Sequence, residues 1–261
     1  MLKRLAVVML VFVAVRVDAL EYTDVYYDPN ESGWGVFLVQ SDTTQFMALF
    51  IYGSDGKPTW YVATVADNGA GAYGGALVAT TGTYFAIPWQ GATGGPVGTI
   101  MFQPTDSYHA TLSYTVNGVG TVTKTVRRQT LTAYDLAGAY SGSISGTISS
   151  CANPAGNNVA FRPRFNLTVT QINDQSAILT FNFVDEYAGI ACSISGPLTH
   201  LGRLYRMVDA QHHCTGSGTD PGFYAVTVEG LHPTGQGIEG RWTGTLGGGC
   251  SVSMHFTGVL N

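Results

Sequence analysis

The sequence predicts an all-β protein made of two tandem small antiparallel β-domains, and three observations carry that prediction. Charged residues are only 11% of the 261-residue chain, while Gly alone contributes 34 residues. A soluble domain is ordinarily about 25% charged, and a chain this poor in Glu, Lys and Leu has little with which to build exposed helix surfaces. Short apolar runs rich in Thr, Val, Tyr and Phe alternate with Asp-Gly and Asn-Gly turn signals along the whole length. Four cysteines, Cys151, Cys192, Cys214 and Cys250, all fall in the second half.

The first element is an export signal. Lys3 and Arg4 are followed by an apolar run over 5–15 that is too short to span a bilayer, and Val17-Asp18-Ala19 offers a cleavage site. This pattern reads as a secretory signal peptide over residues 1–19, with an uncleaved anchor as the other reading. Without it the formal charge moves from −5 to −7, because three basic residues and one acidic residue leave. A mildly acidic chain is a poor partner for nucleic acid. No other segment has the length of apolar sequence that a transmembrane helix needs, so the protein is expected in the periplasm or outside the cell.

Residues 20–130 form the first predicted domain. Strands are expected at 33–40, 45–53, 59–66, 73–80, 98–103, 109–116 and 120–127. Ser54-Asp55-Gly56-Lys57-Pro58, Asp67-Asn68-Gly69 and Asn117-Gly118 mark turns between them. The stretch 87–96, with two prolines and three glycines, reads as a loop. Phe46-Met47-Ala48-Leu49-Phe50-Ile51-Tyr52 is apolar at both odd and even positions. Successive strand residues face opposite sides, so both faces of this strand call for cover: core on one, and the second domain, a long loop or another copy of the chain on the other.

The pattern breaks at 127–136, and residues 131–261 form the second predicted domain. Eight strands are expected, at 140–149, 164–172, 177–184, 192–198, 203–212, 223–231, 238–246 and 251–260. Phe165, Leu167 and Val169 share one face, as do Leu179, Phe181 and Phe183, and Met254, Phe256 and Leu260. Clean alternation over eight strands suits an eight-stranded up-and-down barrel. A membrane barrel would invert the faces, but strands of about eight residues are short for the 9–11 of a tilted span.

The same layout pairs the cysteines. In an up-and-down barrel, Cys151 after the first strand, Cys192 opening the fourth, Cys214 after the fifth and Cys250 before the eighth all fall at one rim. Strands four and five are neighbours, and closure makes one and eight neighbours. The expected disulfides are therefore Cys151–Cys250 and Cys192–Cys214, as suits an exported chain with an even cysteine count. A four-cysteine zinc site is the alternative, but zinc sites usually bring a close Cys pair, and none is present.

Tyr26-Tyr27-Asp28-Pro29-Asn30-Glu31-Ser32-Gly33-Trp34-Gly35, followed by Ser54-Asp55-Gly56-Lys57-Pro58-Thr59-Trp60-Tyr61, resembles a module found in many exported bacterial proteins of unknown function. The likeness covers about residues 22–130 and implies export and a β-fold, with no activity attached. The Gly138-Ala139-Tyr140 opening of the second half is similar to the Gly-x-Trp start of lipocalin- and avidin-like barrels, with Tyr in place of Trp.

Three constellations could carry function. Tyr27, Asp28, Trp34, Trp60, Tyr61 and Trp89 could form a ligand-binding aromatic platform, since ring faces pack on the C–H face of a sugar while carboxylates bond its hydroxyls. Each ring taken singly also suits a β-core, and the Ser-Gly-Trp-Gly run suits close backbone approach at a strand start. His212-His213-Cys214 places the two histidines on opposite faces, so they read as rim or solvated groups and no metal site is expected. No nucleophile elbow, zinc-protease helix or phosphate loop is present, so no catalytic residue and no cofactor is called. The sequence therefore points to an exported, non-catalytic binding or interaction protein for carbohydrate or a small apolar ligand. The alternatives are a protein–protein module, such as a protease inhibitor or envelope component, and a hydrolase with unmarked residues.

Overall fold

A computed structural model describes residues 20–261, and the expected signal peptide lies outside the described residues. Eight strands come first: β1 (Asp24–Tyr27), β2 (Gly35–Ser41), β3 (Thr44–Tyr52), β4 (Pro58–Asp67), β5 (Tyr73–Gly82), β6 (Ala92–Pro104), β7 (His109–Val116) and β8 (Gly120–Arg128). They pair in sequence order as a closed antiparallel barrel, and β8 returns to β1 through Tyr26 opposite Arg128. Alternation sends Val36, Leu38, Met47, Leu49, Leu77 and Phe102 into the barrel, where all are fully buried. Tyr26 closes this core edge-on against Phe102, at a centroid distance of 4.9 Å.

Two features of this barrel differ from the sequence expectation. The four-residue β1 was too short to signal itself. The expected loop 87–96 is a loop only to Gly91, because β6 begins at Ala92 and pairs with the end of β5. A register shift between Leu77 and Val78 sets Pro96 opposite Val78. Pro lacks the N–H that a regular ladder demands, and a bulge is where a strand tolerates it.

Ten strands follow: β9 (Gly138–Ser149), β10 (Val159–Phe161), β11 (Arg164–Ile172), β12 (Ser176–Phe183), β13 (Ala191–Pro197), β14 (Thr199–Leu201), β15 (Leu204–Thr215), β16 (Phe223–Pro233), β17 (Gly237–Thr245) and β18 (Ser251–Leu260). Leaving aside the short β10 and β14, which flank β9 and β15, eight strands pair in sequence order. β18 then pairs β9 from Ser251 opposite Ser149 to Leu260 opposite Tyr140, closing the ring. Phe165, Leu167, Leu179, Phe181, Met254 and Phe256 point inward and are buried, whereas Leu260 at the strand end is exposed. The disulfides are Cys151–Cys250 and Cys192–Cys214, and both lie at one rim. The second joins residues directly opposite in the β13–β15 ladder.

The two barrels meet end to end. At the junction Arg128 and Asp24 form an ion pair of 3.0 Å with side chains only 1% and 4% exposed. Arg128 also donates to the carbonyls of Ser107 and Thr23 and lies over the Tyr26 ring. From the second barrel the Arg203 N–H donates to the same Asp24 oxygen at 3.0 Å. Gly202 sits so close that a side chain there would meet Asp24 and Arg128, and its φ of +66° is left-handed. Tyr108 crosses the junction too: its hydroxyl donates to the Tyr205 carbonyl at 3.3 Å and accepts from the Gly230 N–H at 3.0 Å. Burial pushes the Tyr108 phenol up to about 12, so it stays a donor. The connecting segment then plugs the near end of the second barrel with buried Leu136, whose carbonyl accepts from the Tyr140 hydroxyl. The strand directions leave the aromatic-rich loops of the first barrel and the disulfide rim of the second at opposite ends of the molecule.

Candidate functional site

The six residues read from the sequence as a platform all lie toward the far end of the first barrel, but they divide by role. Trp34 and Tyr61 turn inward and pack against the core. Trp34 is fixed there by Glu31, which accepts from its indole N–H at 3.1 Å. Lys124 Nζ donates to both Glu31 oxygens, at 2.7 and 2.8 Å, and those bonds raise the Lys124 pKa. Trp34, Glu31 and Lys124 thus stopper the barrel mouth. Gly33 makes this possible: its φ is +104°, and a Cβ there would come within 3.0 Å of the Tyr52 hydroxyl. Tyr27 faces outward beneath the Arg127 guanidinium, 5.8 Å from the ring centre. Asp28 is spent on its own turn, accepting from the Asn30 N–H at 2.9 Å. Trp60 and Trp89 are exposed, at 52% and 72%.

Trp60 belongs to a larger surface. In the β2–β3–β4 ladders Phe37 stands opposite Ala48 and Ala48 opposite Val62, with Val39 opposite Phe46 and Phe50 opposite Trp60 on either side. All of these share the outer face, and Phe37, Val39, Phe46, Phe50 and Trp60 are exposed. The cover expected over the second face of β3 is therefore absent among the described residues. At the end of the barrel nearest Trp60, the β5–β6 hairpin raises Tyr84, Phe85, Ile87 and Trp89, with Phe85 90% exposed. Its tip is tied by the Thr83 hydroxyl, which donates to the Gly91 carbonyl and accepts from the Gln90 N–H.

The outer face of β7 and β8 shows what the same barrel does where it meets water. There Ser113 bonds Thr123 and Thr115 bonds Thr121 through their side-chain oxygens. Two outer faces of one barrel thus carry opposite chemistry: a Thr/Ser ladder on one side, uncovered aromatic rings on the other.

The interior of the second barrel holds a second candidate. His212, expected at the rim or in solvent, is instead 5% exposed, and its ring stacks on that of Trp242 at 5.0 Å. The strand begun at Leu204 runs to the disulfide rim, and a bulge at Val208–Asp209, where Asp209 has a φ of +54°, switches its inward face from Tyr205 and Met207 to Ala210 and His212, leaving His213 to point out. His213 stacks on exposed Phe223 at 4.2 Å. Burial lowers the His212 pKa to about 4, so the ring is neutral at physiological pH. Both His212 Nδ1 and Trp242 Nε1 are buried without a hydrogen-bond partner, each at a cost of about 1–3 kcal/mol. Cys192, His212 and Cys214 bring donor atoms together, but both sulfurs are consumed by a disulfide and cannot act as thiolate ligands.

A cavity of about 110 Å³ lies beside these rings, lined by Ile144, Phe181, Ile194, Trp242 and Met254 among others. It shares Ile148, His212, Cys214, Leu246 and Val252 with a rim pocket of about 260 Å³ that also takes in Asp220 and Tyr224. A wider groove of about 770 Å³ runs along the outer wall by Ser141, Arg164 and Glu239. Its charged groups are already paired, Arg164 with Asp185 and Glu239 with His255.

No family model and no curated protein matches the sequence. Two solved structures are similar over most of the chain. One is a Bacteroides fragilis protein provisionally named an outer membrane protein, 12% identical, covering 92% of this chain and 96% of that one at a TM-score of 0.30. The other is a tryptophan-to-alanine mutant of transferrin binding protein B from Haemophilus parasuis, 10% identical, covering 89% of this chain and 62% of that one at a TM-score of 0.30.

Proposed function

We propose that this is an exported, non-catalytic binding protein that makes contact with another protein through the aromatic outer face of its first barrel. The observation that carries the reading is the uncovered surface formed by Phe37, Phe46, Phe50 and Trp60 on β2–β4. Contiguous apolar surface beyond a few hundred Å² is rare on a monomer that works alone. Trp and Tyr are the side chains that most often dominate protein contacts, and the projecting Tyr84–Trp89 hairpin adds more of them. A sugar platform would pair its rings with free carboxylates. Here Glu31 is bonded to Lys124 and Trp34, and Asp55 sits 3.3 Å from Lys57. Export is supported by the two disulfides, which persist in oxidising compartments, together with the signal-like segment 1–19.

The test is site-specific photo-crosslinking in the native envelope. A photoreactive phenylalanine analogue in place of Phe50 gives a discrete protein adduct, and the same analogue in place of Thr123, on the polar outer face of β8, gives none. Adducts of equal intensity at both positions, or at neither, would reject the reading.

A further inference from the structure

The interior of the second barrel carries a separate assignment that does not rest on the outer-face reading. We propose that it binds a small, uncharged, largely apolar molecule bearing one hydroxyl group, with the hydrocarbon body in the inner cavity and the hydroxyl between His212 and Trp242.

Three observations converge on that chemistry. The inner cavity, about 110 Å³, is walled by Ile144, Phe181, Phe183, Ile194 and Met254. An apolar void of about 150 Å³ stays dry and accepts benzene, so a body of ring size fits here with slight yielding of the wall or overlap into the rim pocket. Two of the cavity's lining side chains, His212 and Trp242, are more than nine-tenths buried, and their Nδ1 and Nε1 atoms are unpartnered. The cavity also has an exit: it adjoins the rim pocket of about 260 Å³ through Ile148, His212, Cys214, Leu246 and Val252. The opposite end is plugged by Leu136.

The two nitrogens specify a hydroxyl. Trp242 Nε1–H only donates. His212 Nε2 lies 3.6 Å from Cys214 Sγ, a weak acceptor, so the tautomer with its proton on Nε2 leaves Nδ1 as an acceptor. A hydroxyl accepts from the indole N–H and donates to the imidazole nitrogen at about 3 Å from each. A hydrocarbon satisfies neither, and a carboxylate would carry its charge into an apolar enclosure at a large desolvation cost. The Cys192–Cys214 and Cys151–Cys250 bridges frame the mouth, and the Asp220 turn, where the Tyr224 hydroxyl donates to Asp220 at 2.6 Å, stands over it.

The experiment is calorimetric titration of the oxidised full-length mature protein with 4-propylphenol and with propylbenzene, a probe pair differing only in the hydroxyl. The phenol is expected to bind about tenfold more tightly, the value of one well-made hydrogen bond. Trp242→Phe, which also reshapes the wall and so can shift both affinities, should bring the ratio of phenol to hydrocarbon affinity close to one. Should that variant not fold, the wild-type indole N–H resonance of Trp242 supplies the readout, shifting downfield with the phenol and not with the hydrocarbon. Equal affinities would reduce the site to a plain apolar void. Failure of both probes to bind, or an advantage that survives Trp242→Phe, would overturn the assignment.

Discussion

Arg128 holds the junction, and its removal should be costly. Arg128→Ala leaves Asp24, with a side chain 4% exposed, as a buried charge facing only the Arg203 and Val25 N–H groups. Breaking one half of a buried pair costs about 3–5 kcal/mol, so the urea midpoint should fall sharply. His212 sets a pH dependence. Its pKa is about 4 in the fold against 6.5 unfolded, because burial disfavours the cation and neighbouring His213 adds to that. Between those values the unfolded chain takes up the proton that the folded one refuses. Stability is therefore full above about pH 6.5 and falls as pH drops toward 4, by on the order of 3 kcal/mol. Urea titrations at pH 7.5 and 4.5 should show the drop, and His212→Phe should flatten it. Sequence alone could say that His212 and His213 face opposite ways, but not which of them faces in. The bulge between Met207 and Ala210 decided it, because unbroken alternation from Met207 would have turned His213 inward instead. Trp242 gave no separate signal, since one Trp in an alternating strand reads as core.

Strands were the most legible level. Alternation in β11, β12 and β18 is clean because one face meets core and the other water, and their bounds fall within one residue of those expected. β6 was misread at its start because Gly94, Gly95 and Pro96 look like loop residues; they are held as strand by the bulge and the ladder with β5, a tertiary constraint. The disulfide pairing followed from topology: eight strands, up and down, with closure. The bridges carry a prediction at this scale. They close segments of 22 and 99 residues, stabilising the fold by about 3 and nearly 5 kcal/mol on the chain-entropy estimate. The first barrel has no cysteine. Reduction should therefore raise hydrogen exchange throughout β9–β18 and leave the inner ladders of β1–β8 protected. Uniform loss of protection in both barrels would mean that the junction couples them more tightly than the bridges matter.

At the scale of the whole molecule, two barrels share a buried polar junction and turn different ends outward. Neither the junction nor the fate of the platform residues was legible beforehand. Arg128 fell in the stretch where the strand pattern breaks, and its partners Asp24, Thr23 and Ser107 are distant in sequence. Trp34 and Trp60 looked alike as aromatic residues beside turns, yet one stoppers the mouth and the other faces out, which only the register with β3 decides. The doubly apolar β3 was legible as a strand needing two covers, and the described chain supplies one. Because the outer rings are half exposed, the double substitution Phe46→Ser and Trp60→Ser should leave the melting temperature within a few degrees of wild type while abolishing the crosslink made from position 50. A large fall in melting temperature would make these rings structural.

On the proposed function, this outer face is covered in the protein's working state. Hydroxyl-radical footprinting, comparing the purified protein with the protein in its native envelope, tests it most directly. Phe50, Trp60, Phe85 and Trp89 should be oxidised in the purified protein and protected in the envelope, while Phe223 on the second barrel, comparably open at 67% exposed, should react alike in both. Equal oxidation of the first-barrel rings in the two settings would contradict it.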